Sequence, residues 1–369
     1  MTAKQTIQEY LSLAGVQLNG NRPWDIKVNH PKFYSKVLAG GSLALGESYM
    51  DGWWECRRPD EFFRRILGAK LDKRIRSKDL IWNILKAKIT NMQTRSKAYI
   101  VGRRHYDIGN GLYRLMLDKR MIYSCGYWKA SKTLDKAQEA KLDLICRKVG
   151  LKKGMTVLDI GCGWGGFAKY AAQKYKVKVV GITISKEQAE LAKEACKGLP
   201  VEIRLQDYRK LRQKFDRIIS IGMFEHVGYK NYRNYMRVVN RCLKPDGMFL
   251  LHTIAGNRSV NSTDPWIDKY IFPNSMLPSA RQITKSAEGL FVLEDWHSFG
   301  TDYDKTLMAW YNNFTKNWKK IKEDYDQRFY RMWTYYLLAC AGSFRSRNNQ
   351  LWQIVFSKKG VKGGYNSLR

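Results

Sequence analysis

Acidic residues are scarce in this 369-residue chain, where 33 Asp and Glu face 66 Lys and Arg for a formal charge of +33. A surplus of that size calls for a polyanionic partner, either nucleic acid or an anionic membrane surface. Paired cysteines are missing as well. Cys56, Cys125, Cys146, Cys162, Cys196, Cys242 and Cys340 are odd in number, scattered, and nowhere form C-x-x-C. Neither a disulfide framework nor a zinc site is indicated. No apolar run approaches the ~18–20 residues that cross a bilayer. The opening Met-Thr-Ala-Lys-Gln-Thr-Ile-Gln-Glu-Tyr lacks a signal-peptide apolar region. These absences predict a reducing, cytoplasmic setting, with any membrane met from its surface. Internal repeats and low-complexity tracts are also missing. The 13% aromatic content argues against disorder, and the length allows a large domain plus a small one.

The most informative stretch runs from Thr156 to Gly166, Thr-Val-Leu-Asp-Ile-Gly-Cys-Gly-Trp-Gly-Gly. Val157, Leu158 and Ile160 predict a buried strand, four glycines in six residues break it, and Phe167 to Tyr175 resumes as a helix. A strand passing through a Gly-rich turn into a helix start makes a crevice for a nucleotide, because glycine lets backbone approach a ligand closely. Strands are predicted at Thr156–Ile160, Lys178–Ile184, Val201–Gln206, Phe215–Ile221, Gly247–Ile254, Phe291–Trp296 and Leu351–Ser357. Helices are predicted at Leu134–Val149, Ser185–Lys197, Tyr229–Cys242 and across Lys305–Ser343. Strands apolar through their centres are covered on both faces. The pattern predicts a doubly wound, mostly parallel seven-stranded α/β sheet whose last two strands form an antiparallel hairpin at one edge. Residues Ala255 to Pro278 are rich in Asn, Ser, Asp and Pro and are expected to form a lid or substrate loop.

Ahead of the sheet, residues 1–92 read as a small, mainly helical module, 93–104 as a basic linker and 105–369 as the catalytic domain. Phe62, Phe63, Ile66 and Leu67 repeat at helical spacing, and a second helix is expected over Asp79 to Met92. These stripes are expected to pack a small core. Residues 57–104 hold fifteen Lys/Arg against four Asp/Glu. Basic side chains among aromatic and aliphatic ones, with Trp53 and Trp54 beside Arg57 and Arg58, suit an anionic lipid surface.

A dinucleotide site needs an acid about 20 residues past the glycines, and Val179-Val-Gly-Ile-Thr-Ile-Ser offers none. Asp159 followed by Gly161, Gly163 and Gly165, ahead of five α/β units and a final hairpin, resembles the class I S-adenosylmethionine-dependent methyltransferases. That resemblance implies a glycine turn against the methionine and ribose of the cofactor. Asp159 then fixes the turn or reaches the amino group, Thr183 and Gln188 meet the ribose, and Asp207 meets the adenine amino group. A helix cap is the plain structural alternative for Asp207. Trp164 either packs over the cofactor or fills the helix–sheet interface.

Further stretches narrow the resemblance: Tyr106-Asp107, Tyr123-Ser-Cys-Gly-Tyr-Trp, Gly163-Trp-Gly-Gly, Gly181-Ile-Thr-Ile-Ser, Leu205-Gln-Asp-Tyr-Arg, Phe224-Glu-His-Val-Gly and Asp302-Tyr-Asp-Lys-Thr-Leu. In this order they resemble the cyclopropane-fatty-acyl-phospholipid synthases from about Tyr49 to Lys358. The resemblance implies methyl transfer from S-adenosylmethionine to a cis double bond of a phospholipid acyl chain, with a bound bicarbonate as base. It implies Cys125, Glu225, His252, Ile254 (through its backbone) and Tyr303 as holders of that ion. Tyr123, Ser124 and Tyr208 join the cofactor contacts. His226 is expected to point away and orient its loop. No metal is implied. A homodimer, peripheral at the inner face of the bacterial cytoplasmic membrane, is expected. Simple methyl branching from the same carbocation stays open. A nucleic-acid methyltransferase does not fit, because Gly222-Met-Phe-Glu-His-Val replaces the Asp/Asn-Pro-Pro-aromatic loop of amino-methylating enzymes and no Pro-Cys step occurs.

Overall fold

Alternation of apolar side chains builds the sheet. The computed structural model describes residues 2–70 and 109–369. The expected helix at 79–92, the linker at 93–104 and the Tyr106-Asp107 motif lie outside the described residues. In chain order the elements are α1 (Ala3–Ser12), β1 (Lys27–Val28), α2 (Phe33–Met50), β2 (Trp54–Glu55), α3 (Pro59–Gly68), α4 (Asn110–Met116) and α5 (Leu134–Lys148). Then come β3 (Thr156–Ile160), α6 (Gly166–Tyr175), β4 (Lys178–Thr183), α7 (Lys186–Ala195), β5 (Val201–Leu205), β6 (Phe215–Ile221), α8 (Tyr232–Cys242) and β7 (Leu243–Gly256). The chain ends with α9 (Pro265–Tyr270), α10 (Ala280–Ala287), β8 (Val292–Ser298), α11 (Thr301–Asn317), α12 (Gln327–Arg345) and β9 (Asn349–Ser357).

Of the described residues, one unit takes 2–70, 261–274 and 303–349, and the other takes 109–260, 275–302 and 350–369. The units therefore interleave along the chain, whereas the sequence pattern suggested one contiguous catalytic segment from 105 onward. Periodicity identifies elements, but it carries no information about which unit a returning segment joins.

The second unit holds the sheet, in the order β5-β4-β3-β6-β7-β9-β8. Strand β3 pairs in parallel with β4 and β6, β4 with β5, and β6 with β7. The closing hairpin is there: β8 and β9 are antiparallel, with β8 at the edge. Val157, Ile219, Leu250 and Val355 point to one face, where Leu142 and Ile145 of α5 and Phe167 and Ala171 of α6 cover them. Their neighbours Leu158, Ile218, Leu251 and Ile354 point to the other face, under Tyr235 and Val239 of α8 and Ile283 of α10. Successive side chains alternate faces, so a strand covered on both sides is apolar throughout. The chain leaves β3 outward to β4 and β5, then returns to β6 on the opposite side. That reversal opens a crevice at the C-terminal ends of β3 and β6.

The first unit is mainly helical. The apolar stripe of α3 buries Phe62 and Phe63 as expected. Phe63 meets Tyr335 of α12 at 5.0 Å, and Trp54 meets Phe62 at 5.4 Å. Gly342 of α12 lies so close to α3 that a Cβ there would sit 2.5 Å from the Asp60 carbonyl oxygen. Arg345 then bridges Asp60 and Asp304 at 2.7 and 2.9 Å. The Asn/Ser-rich excursion departs from expectation. Its middle folds as α9, whose buried Trp266 ring meets Tyr335 at 4.5 Å, tilted, and whose indole N–H donates to Met50 Sδ at 3.4 Å. Lys269 and Tyr270 both reach Glu47, at 2.6 and 2.9 Å. Asp264 capping the turn, with Pro265 at the first helical position, starts this helix locally. The expected helix across Lys305–Ser343 is two, because α11 ends at Asn317 and α12 restarts on an Asp326 cap.

Candidate active site

Glycine opens the crevice at the end of β3. Gly163 has φ +53°, a backbone that side-chain-bearing residues seldom adopt, and a Cβ there would meet nothing within 4 Å. The space beside this turn is therefore left for something other than protein. Asp159, at the end of β3, is fully buried, and burial pushes its carboxyl up to about 7. Among the described residues its Oδ2 has no hydrogen-bond partner. A buried carboxylate oxygen without a partner, beside an open glycine cradle, fits the amino group of S-adenosylmethionine.

Around it the other expected cofactor residues gather in the same unit. Thr183 donates its hydroxyl to Gln188 Oε1 at 2.9 Å at the end of β4, and Ser185 caps α7 by accepting from the Gln188 amide. Asp207 takes the capping role, its carboxylate accepting from the Arg209 amide at 2.8 Å and the Arg209 side chain at 2.9 Å. The buried Tyr208 ring meets Tyr235 at 5.1 Å. Trp164 packs in an interface: its indole donates to Asn110 Oδ1 at 3.0 Å, and its ring lies 5.0 Å from Tyr113 of α4. Tyr123 meets the same Tyr113 at 5.2 Å.

A second cluster sits where β6 and β7 end. Glu225, in a buried turn after β6, accepts at Oε1 from the Ile254 amide at 2.7 Å. Its backbone oxygen accepts from Met276 N at 2.9 Å. The backbone of Ile254, expected to hold an ion, thus gives its amide to Glu225. Burial pushes this carboxyl up to about 7, and Oε2 has no partner among the described residues. His252 lies in β7 opposite Ile221 of β6, buried, with Nδ1 3.3 Å from Gln353 Nε2 and Nε2 unpartnered. Burial, then the charges of Lys141, Lys148 and His297, hold its pKa well below the imidazole value. His252 is therefore neutral at ordinary pH. Cys125 is buried in the same unit. His226, beside Glu225, is half-buried, and desolvation lowers it to about 4. Tyr303 belongs to the first unit, where its ring packs on Phe344 and Trp310 at 4.6 and 5.9 Å.

Helix α5 contributes residues that sequence reasoning missed. Gln138, Lys141 and Lys148 lie on its buried side. Gln138 Nε2 donates to the Ser124 carbonyl at 2.7 Å, and Lys141 Nζ donates to Ser124 Oγ at 2.8 Å. The signal was present as polar residues at positions 138, 141 and 148 on the helical stripe of Leu134, Ala137, Leu142 and Ile145. Lys148 pairs with Asp295 at 3.1 Å and lies 3.1 Å from His297 Nδ1. A polar residue on an apolar stripe is costly unless partnered, so it signals a built polar site.

Comparison with known proteins matches this arrangement to one family. The family model for mycolic acid cyclopropane synthetase matches residues 93–354. The cyclopropane-fatty-acyl-phospholipid synthase of Escherichia coli (strain K12) is 57% identical over 363 residues, 98% of this chain and 94% of that protein. The structure of the cyclopropane synthase MmaA2 from Mycobacterium tuberculosis has a TM-score of 0.67 at 30% identity, covering 73% of this chain and 100% of that one. The mycolic acid cyclopropane synthase CmaA1, complexed with SAH and CTAB, gives 0.66 at 33% identity, covering 70% and 98%. With its glycine turn, its strand order and these similarities, the chain belongs to the mycolic acid cyclopropane synthetase family and is an S-adenosylmethionine-dependent methyltransferase.

Proposed function

We propose that this enzyme forms a cyclopropane ring at a cis double bond in the acyl chain of a membrane phospholipid, with bicarbonate as base. The observation that carries the reading is the 57% identity, over nearly the whole chain, to the Escherichia coli phospholipid enzyme. When bound, S-adenosylmethionine supplies an electrophilic sulfonium methyl. An alkene is a weak nucleophile, so the chain's contribution is apposition and the exclusion of water. Asp159 and the Gly163 turn hold the donor. Glu225, poised between acid and anion near neutral pH, keeps a proton at Oε2 and offers it as a hydrogen bond to an oxyanion. Neutral His252 offers Nε2 without adding a cation beside a developing carbocation. Cys125 lines the same ion, Ile254 acts on it through Glu225, and Tyr303 enters by its motif alone. Aromatic faces, Phe299 at 6.0 Å from the His252 ring among them, tolerate a passing cation better than a carboxylate that would trap it.

We place the enzyme, as a homodimer, on the inner face of the bacterial cytoplasmic membrane. Among the described residues of the basic stretch, Arg58 is paired with Asp60, and Arg64 and Arg65 with Glu61. The surplus available to lipid is carried mainly by residues 70–104.

The deciding experiment incubates the purified protein with S-adenosylmethionine and anionic vesicles bearing cis-unsaturated chains. Gas chromatography with mass detection should show one methylene gained per double bond, at the retention of the ring. Methyl transfer to tRNA or DNA without lipid modification would overturn the reading. A methyl-branched product would replace ring closure by simple methylation.

A further inference from the structure

Lys141 is fully buried, yet among the described residues its ammonium makes one hydrogen bond, to Ser124 Oγ at 2.8 Å. Lys148, two turns along α5, has a carboxylate partner in Asp295 at 3.1 Å. Lys141 has no ion pair among the described residues. A buried ammonium without a counter-ion costs several kcal/mol, so such a charge persists where something nearby uses it. Two buried oxygens lack partners among the described residues, Gln138 Oε1 on the same helix face and Asp159 Oδ2, whose side chain leaves β3 on the face of Val157, the face that Ile145 of α5, one turn from Lys141, covers. Ser124 is gripped at both ends by this face, its hydroxyl by Lys141 and its carbonyl by Gln138 Nε2 at 2.7 Å. It adjoins Tyr123 and Cys125, so the grip sets the whole segment.

We infer that Lys141 is a positioning residue of the methyl-donor site: it pins Ser124 from beneath and is the buried cation that balances the Asp159 carboxylate. The inference rests on Asp159 meeting the cofactor's amino group. Without a cation nearby, a carboxylate at this depth is protonated at neutral pH and offers the amino group no charge. Burial raises the Asp159 carboxyl and Lys141 pulls it back, while burial brings the Lys141 ammonium down to about 8. The groups facing this pair are few. Asp118, Cys125 and His252 also feel Lys141. Asp118 accepts the amides of Arg120 and Ile122, at 2.9 Å each. Cys162, Cys196 and Tyr235 feel Asp159, and burial pushes all three up, which leaves them uncharged near neutral pH.

The test is calorimetric titration of the full-length protein with S-adenosylhomocysteine between roughly pH 6 and 9, beside the melting temperature of the free protein. K141M puts an apolar chain of similar length in place of the charge, and Asp159, left without its cation, takes up a proton rather than staying buried and ionised. It should keep the melting temperature, weaken binding about tenfold near pH 7, and move the acid limb of the affinity profile to higher pH. S124A should weaken binding without moving the limb. If K141M unfolds, K141Q carries the same test, because it keeps a donor without the charge. Binding and an acid limb like those of the unsubstituted protein in a folded Lys141 variant would overturn the inference. D159N separates the premise: full affinity there would remove the Asp159 reading itself, whatever Lys141 does.

Discussion

Glu225 concentrates the residue-scale chemistry. One oxygen is held by the Ile254 amide, the other faces no protein partner, and burial brings the carboxyl to about 7. Glu225→Gln should abolish most turnover while leaving cofactor binding intact, measured by lipid assay and calorimetry respectively. Surviving turnover would remove Glu225 from the ion site. The same group makes a stability prediction. Its folded pKa lies above its ordinary value of 4.5, so its contribution to stability is full below about pH 4.5 and is lost as pH rises through 7. Denaturant titrations at pH 5 and pH 8 should therefore show unsubstituted protein losing stability relative to Glu225→Gln, by up to about 3 kcal/mol. An identical pH slope in both proteins would show that the carboxyl ionises as if exposed. Cys125, Glu225 and His252 were legible as motif residues. Lys141 was not, because a lysine in a helix reads as solvated until burial is seen.

At the scale of elements, two glycines do opposite jobs. Gly163 stands in open space with a left-handed backbone. Gly163→Ala should cost only about 1 kcal/mol of stability while its methyl group enters the cradle and weakens S-adenosylhomocysteine binding. Unchanged affinity would mean that the turn does not touch the donor. Gly342 is hemmed in, its Cβ position 2.5 Å from the Asp60 carbonyl oxygen and 2.6 Å from Phe63 Cβ. Alanine improves a helix by about 1 kcal/mol over glycine, but forcing α3 and α12 apart costs typically 1–3 kcal/mol. Gly342→Ala should therefore destabilise on balance, read as a lower urea midpoint. Strands β3 and β6 match their sequence-based bounds, since short runs apolar through their centres and ended by Gly161 and Gly222 leave little choice. The helix in the Asn/Ser-rich excursion escaped notice because six residues carry too short a period, and the pocket for Trp266 is assembled from distant residues, Gly46 and Met50 before it and Tyr335 after it.

Across the whole molecule, charge is the property that acts at a distance. On the proposed function, a net +33 is the attraction to an anionic membrane surface, and salt screens such attraction over about 8–10 Å at physiological strength. Sedimentation with anionic vesicles should show binding that falls steeply as salt rises, and neutral vesicles should bind far less. Salt-independent binding would move the attachment from charge to buried apolar surface. No helix among the described residues is long and apolar enough to cross a membrane.

Local pattern alone determined the strand–helix alternation, the glycine turn and its Asp, and the order of motifs, because each depends on neighbours within a few residues. Tertiary structure decided three things. It sent 261–274 and 303–349 to the unit of the N-terminal helices. It assigned the Ile254 amide to Glu225, and it buried Lys141 against Ser124. All three depend on contacts between residues distant in sequence, which no window along the chain contains.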